Sequence, residues 1–477
     1  MPESTASTDR FPRWLWILIA VLGAIMITLQ FLKAGDLFVI YDAFSYTAAW
    51  ERLKMCLPDA VRPPVYPLFY GIITTIFPGT TGMVVIAVLQ WSLFGVAIWV
   101  LWRILVYFEV ARAFRVATIL FLLFFPGNWV MNNALQTESL SLFLITFLAY
   151  SLIRYRQSQT RLWNIAGAVT TFLLVYLKPQ FIYIIPIYLA AWWICSANRK
   201  QTILTVTSSL LITGSLFFYT WTLRRFCGFN QGLTVVGTVN CYGILRMGGL
   251  VTPDDIENPD IREHLRPYLE ADPGSDLLET DLYGVEWKYM NLVQCDSINR
   301  NVMRNHPAEV AGFLLSRFPR SFSHSIFPRH GYARPYDEPK HRRYYALTGQ
   351  KQPSRHIPEF TYGEALTNGD KALRGSLVFP FYGILDIPFI AAYITLVLFT
   401  GITLLSWKRS GWKRFPTVAF TLIALISGGY ITTLTGAYDD WGRIAGSTHV
   451  LLFAAGGIVV YKSYRYVQFR LKRRQQP

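Results

Sequence analysis

The chain has 477 residues, of which 52% are hydrophobic and only 16% charged, and 45 Lys and Arg against 29 Asp and Glu give a net charge of +16. The mean hydropathy is +0.30, whereas a soluble domain carries roughly a quarter charged residues. These values exclude an ordinary soluble enzyme. The basic residues cluster beside apolar runs and form no stripe, which excludes nucleic acid as the partner.

The first apolar run, 14–32, follows Arg10 and Arg13. It lacks a small-x-small cleavage pattern and is long for a signal peptide, so it reads as a retained helix. Further apolar runs lie near 81–106, 115–130, 136–153, 162–177, 180–197, 202–222, 376–406, 415–435 and 444–461. Each is a candidate to cross a hydrocarbon core about 30 Å thick. A shorter run, 63–79, is broken by Pro63, Pro64, Pro67 and Pro78.

Parity decides the status of 63–79. If it stays at the surface, the basic connections 103–115, 154–161, 199–200, 408–414 and the tail 462–474 all face the cytoplasm. If it crosses, every later basic cluster faces outward. The charge bias therefore selects about ten crossings, both termini inside, and a surface-lying 63–79 element. The expected fold class is an all-α membrane protein, in the cell membrane and in a bacterium the inner one. The segments are a transmembrane core with the first external loop (1–222), an external or periplasmic loop domain (223–375), and C-terminal helices with a basic cytoplasmic tail (376–477). Within the large external segment, 285–318 reads as helical with a restart at Pro307, and 329–368 reads as a loop.

Some charges sit where the bias does not call for them. Lys33, Arg62, Lys178, Arg224, Arg225, Arg374 and Arg443 fall at outer ends. Each alone fits snorkelling to headgroups; as a set they fit an anionic phosphate bound at the outer interface. Two carboxylates also stand out. Asp42, in Ile40-Tyr41-Asp42-Ala43-Phe44-Ser45-Tyr46, fits a cap on a helix over 43–54 or a catalytic base. Glu138, after Thr137, fits either a helix-dipole partner behind a Thr cap or a site residue.

Metal and nucleophile motifs are absent. The seven His show no His-x-x-x-His spacing, and there is no Cys-x-x-Cys, Gly-x-Ser-x-Gly elbow or phosphate-cradling Gly-rich loop. No metal or other cofactor is therefore expected. Cys56, Cys227, Cys241 and Cys295 fall outside the membrane, and Cys227 with Cys241 closes the shortest loop for a disulfide.

The order Asp42, then Arg62-Pro63-Pro64-Val65-Tyr66-Pro67, then Thr137-Glu138, then Trp441-Gly442-Arg443, resembles the integral-membrane glycosyltransferases of the GT-C type. The branch is the one holding protein O-mannosyltransferases, the lipid A aminoarabinose transferase and lipopolysaccharide galacturonosyltransferases. That resemblance implies transfer of a sugar from a polyprenyl-phosphate carrier to a lipid, polysaccharide or protein acceptor on the outer face. It implies Asp42 as base and Glu138 as its partner or the acceptor's. Arg62, Lys178 and Arg443 would hold the donor phosphate, and Tyr41, Tyr46 and Tyr66 would pack on substrate. An O-antigen polymerase or ligase would rely on Arg and His in the large loop instead. A lipid-linked-sugar flippase would place charges at mid-membrane.

Overall fold

Hydrocarbon offers the backbone no hydrogen-bond partners, so apolar runs of this length fold as helices that bond within themselves. The structure is a computed structural model. It describes residues 10–34, 37, 41–57, 59, 62–227, 241–242, 245, 249–269, 292–321, 389–407, 416–434 and 448–474. The helices of its first part are α1 (Arg13–Ala34), α2 (Tyr41–Lys54), α3 (Val65–Ile76), α4 (Thr80–Tyr107), α5 (Arg112–Leu123), α6 (Pro126–Asn132), α7 (Glu138–Ser158), α8 (Arg161–Leu177), α9 (Ile184–Cys195) and α10 (Arg199–Cys227). The external segment holds α11 (Pro259–Leu269), α12 (Leu292–Asn305) and α13 (Pro307–Ser321), and α14 (Phe389–Trp407), α15 (Pro416–Leu434) and α16 (His449–Arg474) follow.

Four of these stretches are long and apolar enough to cross a membrane: Arg13–Leu32, Thr80–Tyr107, Glu138–Ser158 and Arg199–Leu223. Their surroundings differ. The α7 helix is the most enclosed, packed by α4 on one side and α8 on the other, with α9, α15 and α16 beyond. The α10 helix turns Leu210, Leu211, Phe217, Phe218 and Trp221 outward. A bare apolar face of that size belongs in lipid, not in water.

Several runs fold differently from the simple reading. The run 115–130 is not one helix. The α5 helix has 12 residues, about 18 Å at 1.5 Å each, well short of a bilayer core. It stops before Pro126, which has no N–H to give and pushes its predecessor out of the helical region. Side chains beyond the break then take over the freed carbonyls: Asn128 Nδ2 donates to Leu122 O at 2.8 Å, and Trp129 Nε1 to Leu123 O at 2.8 Å. The run 180–197 opens as a 3-10 turn, Pro179–Tyr183, before α9. The tail is not a separate basic appendage, because α16 continues helical through its Lys and Arg to Arg474. Residues 376–388 of the run 376–406 lie outside the described residues.

The 63–79 element forms α3, whose 12 residues reach about 18 Å. Its Tyr66, Pro67, Tyr70, Gly71 and Ile73 face inward, while Leu68, Ile72 and Ile76 are exposed. The inward face lies on α2, where the Trp50 ring fills the space that a side chain at Gly71 would need.

The expected helix restart at Pro307 is present: α12 ends at Asn305 and α13 opens at Pro307. These helices and 241–269 share a small core of Tyr242, Leu245, Val251, Ile256, Ile261, Leu265, Cys295, Ile298, Val302 and Val310. Asp255, fully buried, is its polar bolt. Its carboxylate accepts Thr252 N and Oγ1 at 2.9 and 2.8 Å and Asn305 Nδ2 at 2.9 Å, with His306 Nε2 at 3.7 Å. Cys241 is a free thiol packed against this core, and burial raises its pKa. The expected Cys227–Cys241 bridge is therefore not formed.

Candidate active site

The site gathers around the start of α7. Between α6 and α7 the chain is non-helical yet buried from Asn133 to Thr137. Buried backbone without a helix needs outside partners. Gln90 of α4 supplies two, donating its amide to Asn132 O at 2.9 Å and Ala134 O at 3.0 Å. Trp91 Nε1 donates to Asn133 Oδ1 at 3.0 Å. Ser139 Oγ donates to Asn132 Oδ1 at 2.8 Å. This network fixes the first turn of α7 and with it Glu138.

Glu138 is 1% exposed. Thr137 does not cap α7; its backbone is already helical and its hydroxyl makes no capping bond. The hydroxyl instead stands 3.4 Å from Glu138 Oε2. The other oxygen, Oε1, accepts from Lys178 Nζ at 2.7 Å. Lys178 reaches it because Pro179 forces an extended residue before itself, so α8 ends there with Lys178 at φ −146°. A buried charge needs such a partner. The cation expected to hold phosphate thus first neutralises Glu138, although an ammonium keeps two further N–H groups to donate.

The aromatic residues continue the site outward. Tyr66 is fully buried and its hydroxyl has no hydrogen-bond partner. Burial, then the nearby Tyr46, Glu138 and Tyr70, raise its phenol well above the ordinary value. The Tyr46 ring lies 4.5 Å from that of Tyr66, and the Arg62 guanidinium covers Tyr46 at 4.8 Å, within cation–π reach. Five of the expected residues, Tyr46, Arg62, Tyr66, Glu138 and Lys178, therefore meet in one place. Asp42 lies in the first turn of α2, four residues before Tyr46. Because α2 starts at Tyr41 and not Ala43, Asp42 is inside the helix and not its cap. The side chains of Tyr41 and Asp42, and all of Arg443, lie outside the described residues. Among the described residues no group of three or more His, Cys, Asp or Glu comes together to hold a metal.

Three residues were not foreseen. Asp59, in the loop before α3, accepts Arg62 N–H at 2.7 Å and lies 3.8 Å from Arg52 Nε. Tyr219 of α10 donates to Asp59 O at 2.9 Å. Gln90 interrupts an otherwise apolar run, and a lone polar residue there was the available signal.

No family profile matches the sequence, and no curated protein matches it. Among solved structures, the chain is similar to the Archaeoglobus fulgidus oligosaccharyltransferase in its apo form, at 13% identity and a TM-score of 0.45, over 96% of this chain and 52% of that one. It is similar also to the archaeal oligosaccharyltransferase AglB from Archaeoglobus fulgidus in complex with an inhibitory peptide and a dolichol-phosphate, at 14% identity and a TM-score of 0.43, over 97% of this chain and 51% of that one. The chain spans about half the length of these structures. A likeness at these values carries no argument about reaction, donor or acceptor.

Proposed function

We propose that the chain is a membrane glycosyltransferase of the GT-C type that moves a sugar from a polyprenyl phosphate to a lipid, polysaccharide or protein acceptor on the outer face. The single observation behind this reading is the meeting of Arg62, Tyr46, Tyr66, Glu138 and Lys178. Residues from α2, the start of α3, the start of α7 and the end of α8 supply a buried acid, two cations and two aromatic faces in one place. In the same reading there are about ten crossings, α3 lies along the outer surface, and the three segments 1–222, 223–375 and 376–477 keep their assigned roles.

The chemistry follows from the charges. The acceptor hydroxyl attacks the anomeric carbon and loses its proton to the Asp42 carboxylate. The bond from that carbon to the phosphate oxygen breaks, and polyprenyl phosphate leaves with the electron pair. Arg62, Lys178 and Arg443 stabilise the growing negative charge. Glu138 anchors Lys178 and orients the acceptor, and Tyr41, Tyr46 and Tyr66 pack on the sugar and keep water out. No step calls for a metal.

A transfer assay with purified protein in proteoliposomes and a polyprenyl-phosphate sugar tests the assignment. Asp42→Asn keeps the shape of the side chain and removes its basicity, so transfer should fall at least ~100-fold while insertion and donor binding persist. Losing the charge at the head of α2 should cost only about 0.3–1 kcal/mol of stability. Near-normal turnover by Asp42→Asn would remove Asp42 from the chemistry.

A further inference from the structure

The residues of the candidate site close into a ring through contacts that the transfer scheme does not use. Lys178 ends α8. Two residues earlier, Tyr176 is buried and meets the Tyr219 ring of α10 edge-on at 5.6 Å. The Tyr219 hydroxyl donates to Asp59 O at 2.9 Å. The Asp59 carboxylate takes the Arg62 N–H at 2.7 Å. Arg62 covers Tyr46, Tyr46 packs on Tyr66, and Glu138 beside them returns to Lys178 at 2.7 Å.

The loop on this ring leaves α2 under constraint. Leu57 N bonds Arg52 O and Cys56 N bonds Leu53 O, each at 2.9 Å. Cys56 is held at φ +58°. This is a Schellman ending with a non-glycine residue in the left-handed position, a conformation a side chain disfavours. The path from there to Arg62 is then pinned at Asp59 from two sides: its carboxylate by Arg62 and Arg52, its carbonyl by Tyr219.

We infer that Asp59 and Tyr219 are positioning residues that set the separation of the Arg62 and Lys178 cations. Tyr219 touches the Lys178 side through Tyr176 and the Arg62 side through Asp59, and so adds a polar link to the apolar packing of Val65 on the Val175 and Tyr176 cluster. A fixed separation of two cations selects a ligand by the spread of its anionic oxygens. For the ligand, a lipid-linked monophosphate, the inference rests on the proposed glycosyltransferase reading; the tether itself does not.

Hydrogen–deuterium exchange on the full-length protein in nanodiscs, combined with titration of polyprenyl monophosphate, tests this. Tyr219→Phe keeps the ring contact and deletes only the hydroxyl. Exchange across 55–62 should rise about 3- to 10-fold, the factor for one lost hydrogen bond, with α4 and α7 unchanged. The affinity for polyprenyl monophosphate should fall by a similar factor, with kcat in the transfer assay within about twofold, since no group at the reacting atoms changes. Asp59→Asn keeps an acceptor for the Arg62 N–H and loses the charge facing Arg52, so it should show the milder version of both effects. Unchanged exchange at 55–62 in Tyr219→Phe would overturn the tether, and so would a rise spread equally over α4 and α7, which is general destabilisation. If exchange rises as expected but the wild-type protein binds no polyprenyl monophosphate, the tether stands and the glycosyltransferase reading falls.

Discussion

The Glu138–Lys178 pair allows a quantitative test. Glu138 is 1% and Lys178 13% exposed at the side chain, and they stand 2.7 Å apart. At an effective dielectric near 20, two unit charges at that distance attract by about 6 kcal/mol. Taking each from water costs several kcal/mol, so the intact pair nets little. Breaking it is another matter. Lys178→Met strands a carboxylate with no path to solvent, and should cost about 3–5 kcal/mol. Glu138→Gln strands the more exposed partner, whose ammonium can lean toward water or headgroups, and should cost less, about 1–3 kcal/mol. The double variant carries no buried charge and should recover about half of the summed loss, a coupling of about 2–4 kcal/mol. Steric-trap unfolding in bicelles measures all four corners of the cycle. Additivity within about 0.5 kcal/mol would refute the coupling and with it the view that Lys178 is primarily the counter-ion of Glu138. The transfer assay adds a second axis: a stable double variant that still transfers sugar would reduce the pair to a structural bolt.

Other outcomes follow from single contacts. Tyr66→Phe removes a buried hydroxyl that has no partner; stability should hold or rise by up to about 1–3 kcal/mol, while transfer falls, and a clear loss of stability in the same unfolding assay would show that the hydroxyl is satisfied within the protein. Gln90→Leu removes the amide donor from Asn132 O and leaves Ala134 O with the Gln136 N–H alone; it should cost about 1–3 kcal/mol and lower both stability and transfer, and a change under about 0.5 kcal/mol would mean the loop before α7 does not depend on Gln90. On a Cys-free background, Ser158→Cys, at the exposed C-terminal end of α7, should resist an impermeant maleimide in intact cells and react after permeabilisation. Labelling from outside would invert the proposed topology.

Much of the helical content could be read from the chain alone, because hydrocarbon leaves few choices to an apolar backbone. Runs 14–32, 81–106, 136–153 and 202–222 correspond to the four crossing-length stretches within a few residues at most ends. The break at Pro126 was missed because the apolar composition continues across it, and because Asn128 and Trp129 repair the exposed carbonyls only once folded. Glu138, Lys178 and Arg62 were visible as charges at helix ends. Asp59 was not, since an acid in a short polar loop looks like any solvated turn until Tyr219, 160 residues away, is seen bonded to it.

The sequence by itself determined that the chain is helical and apolar enough for a membrane, and which charges stand out against that background. Hydropathy and charge are local properties, summed over neighbouring residues, so they survive without the fold. Only the tertiary structure decided that Lys178 serves Glu138 first, that Thr137 does not cap α7, and that Arg62, Tyr46 and Tyr66 share one site. Those are pairings between distant segments, set by which side chains a buried charge or an orphaned backbone group can reach, and no local pattern encodes them.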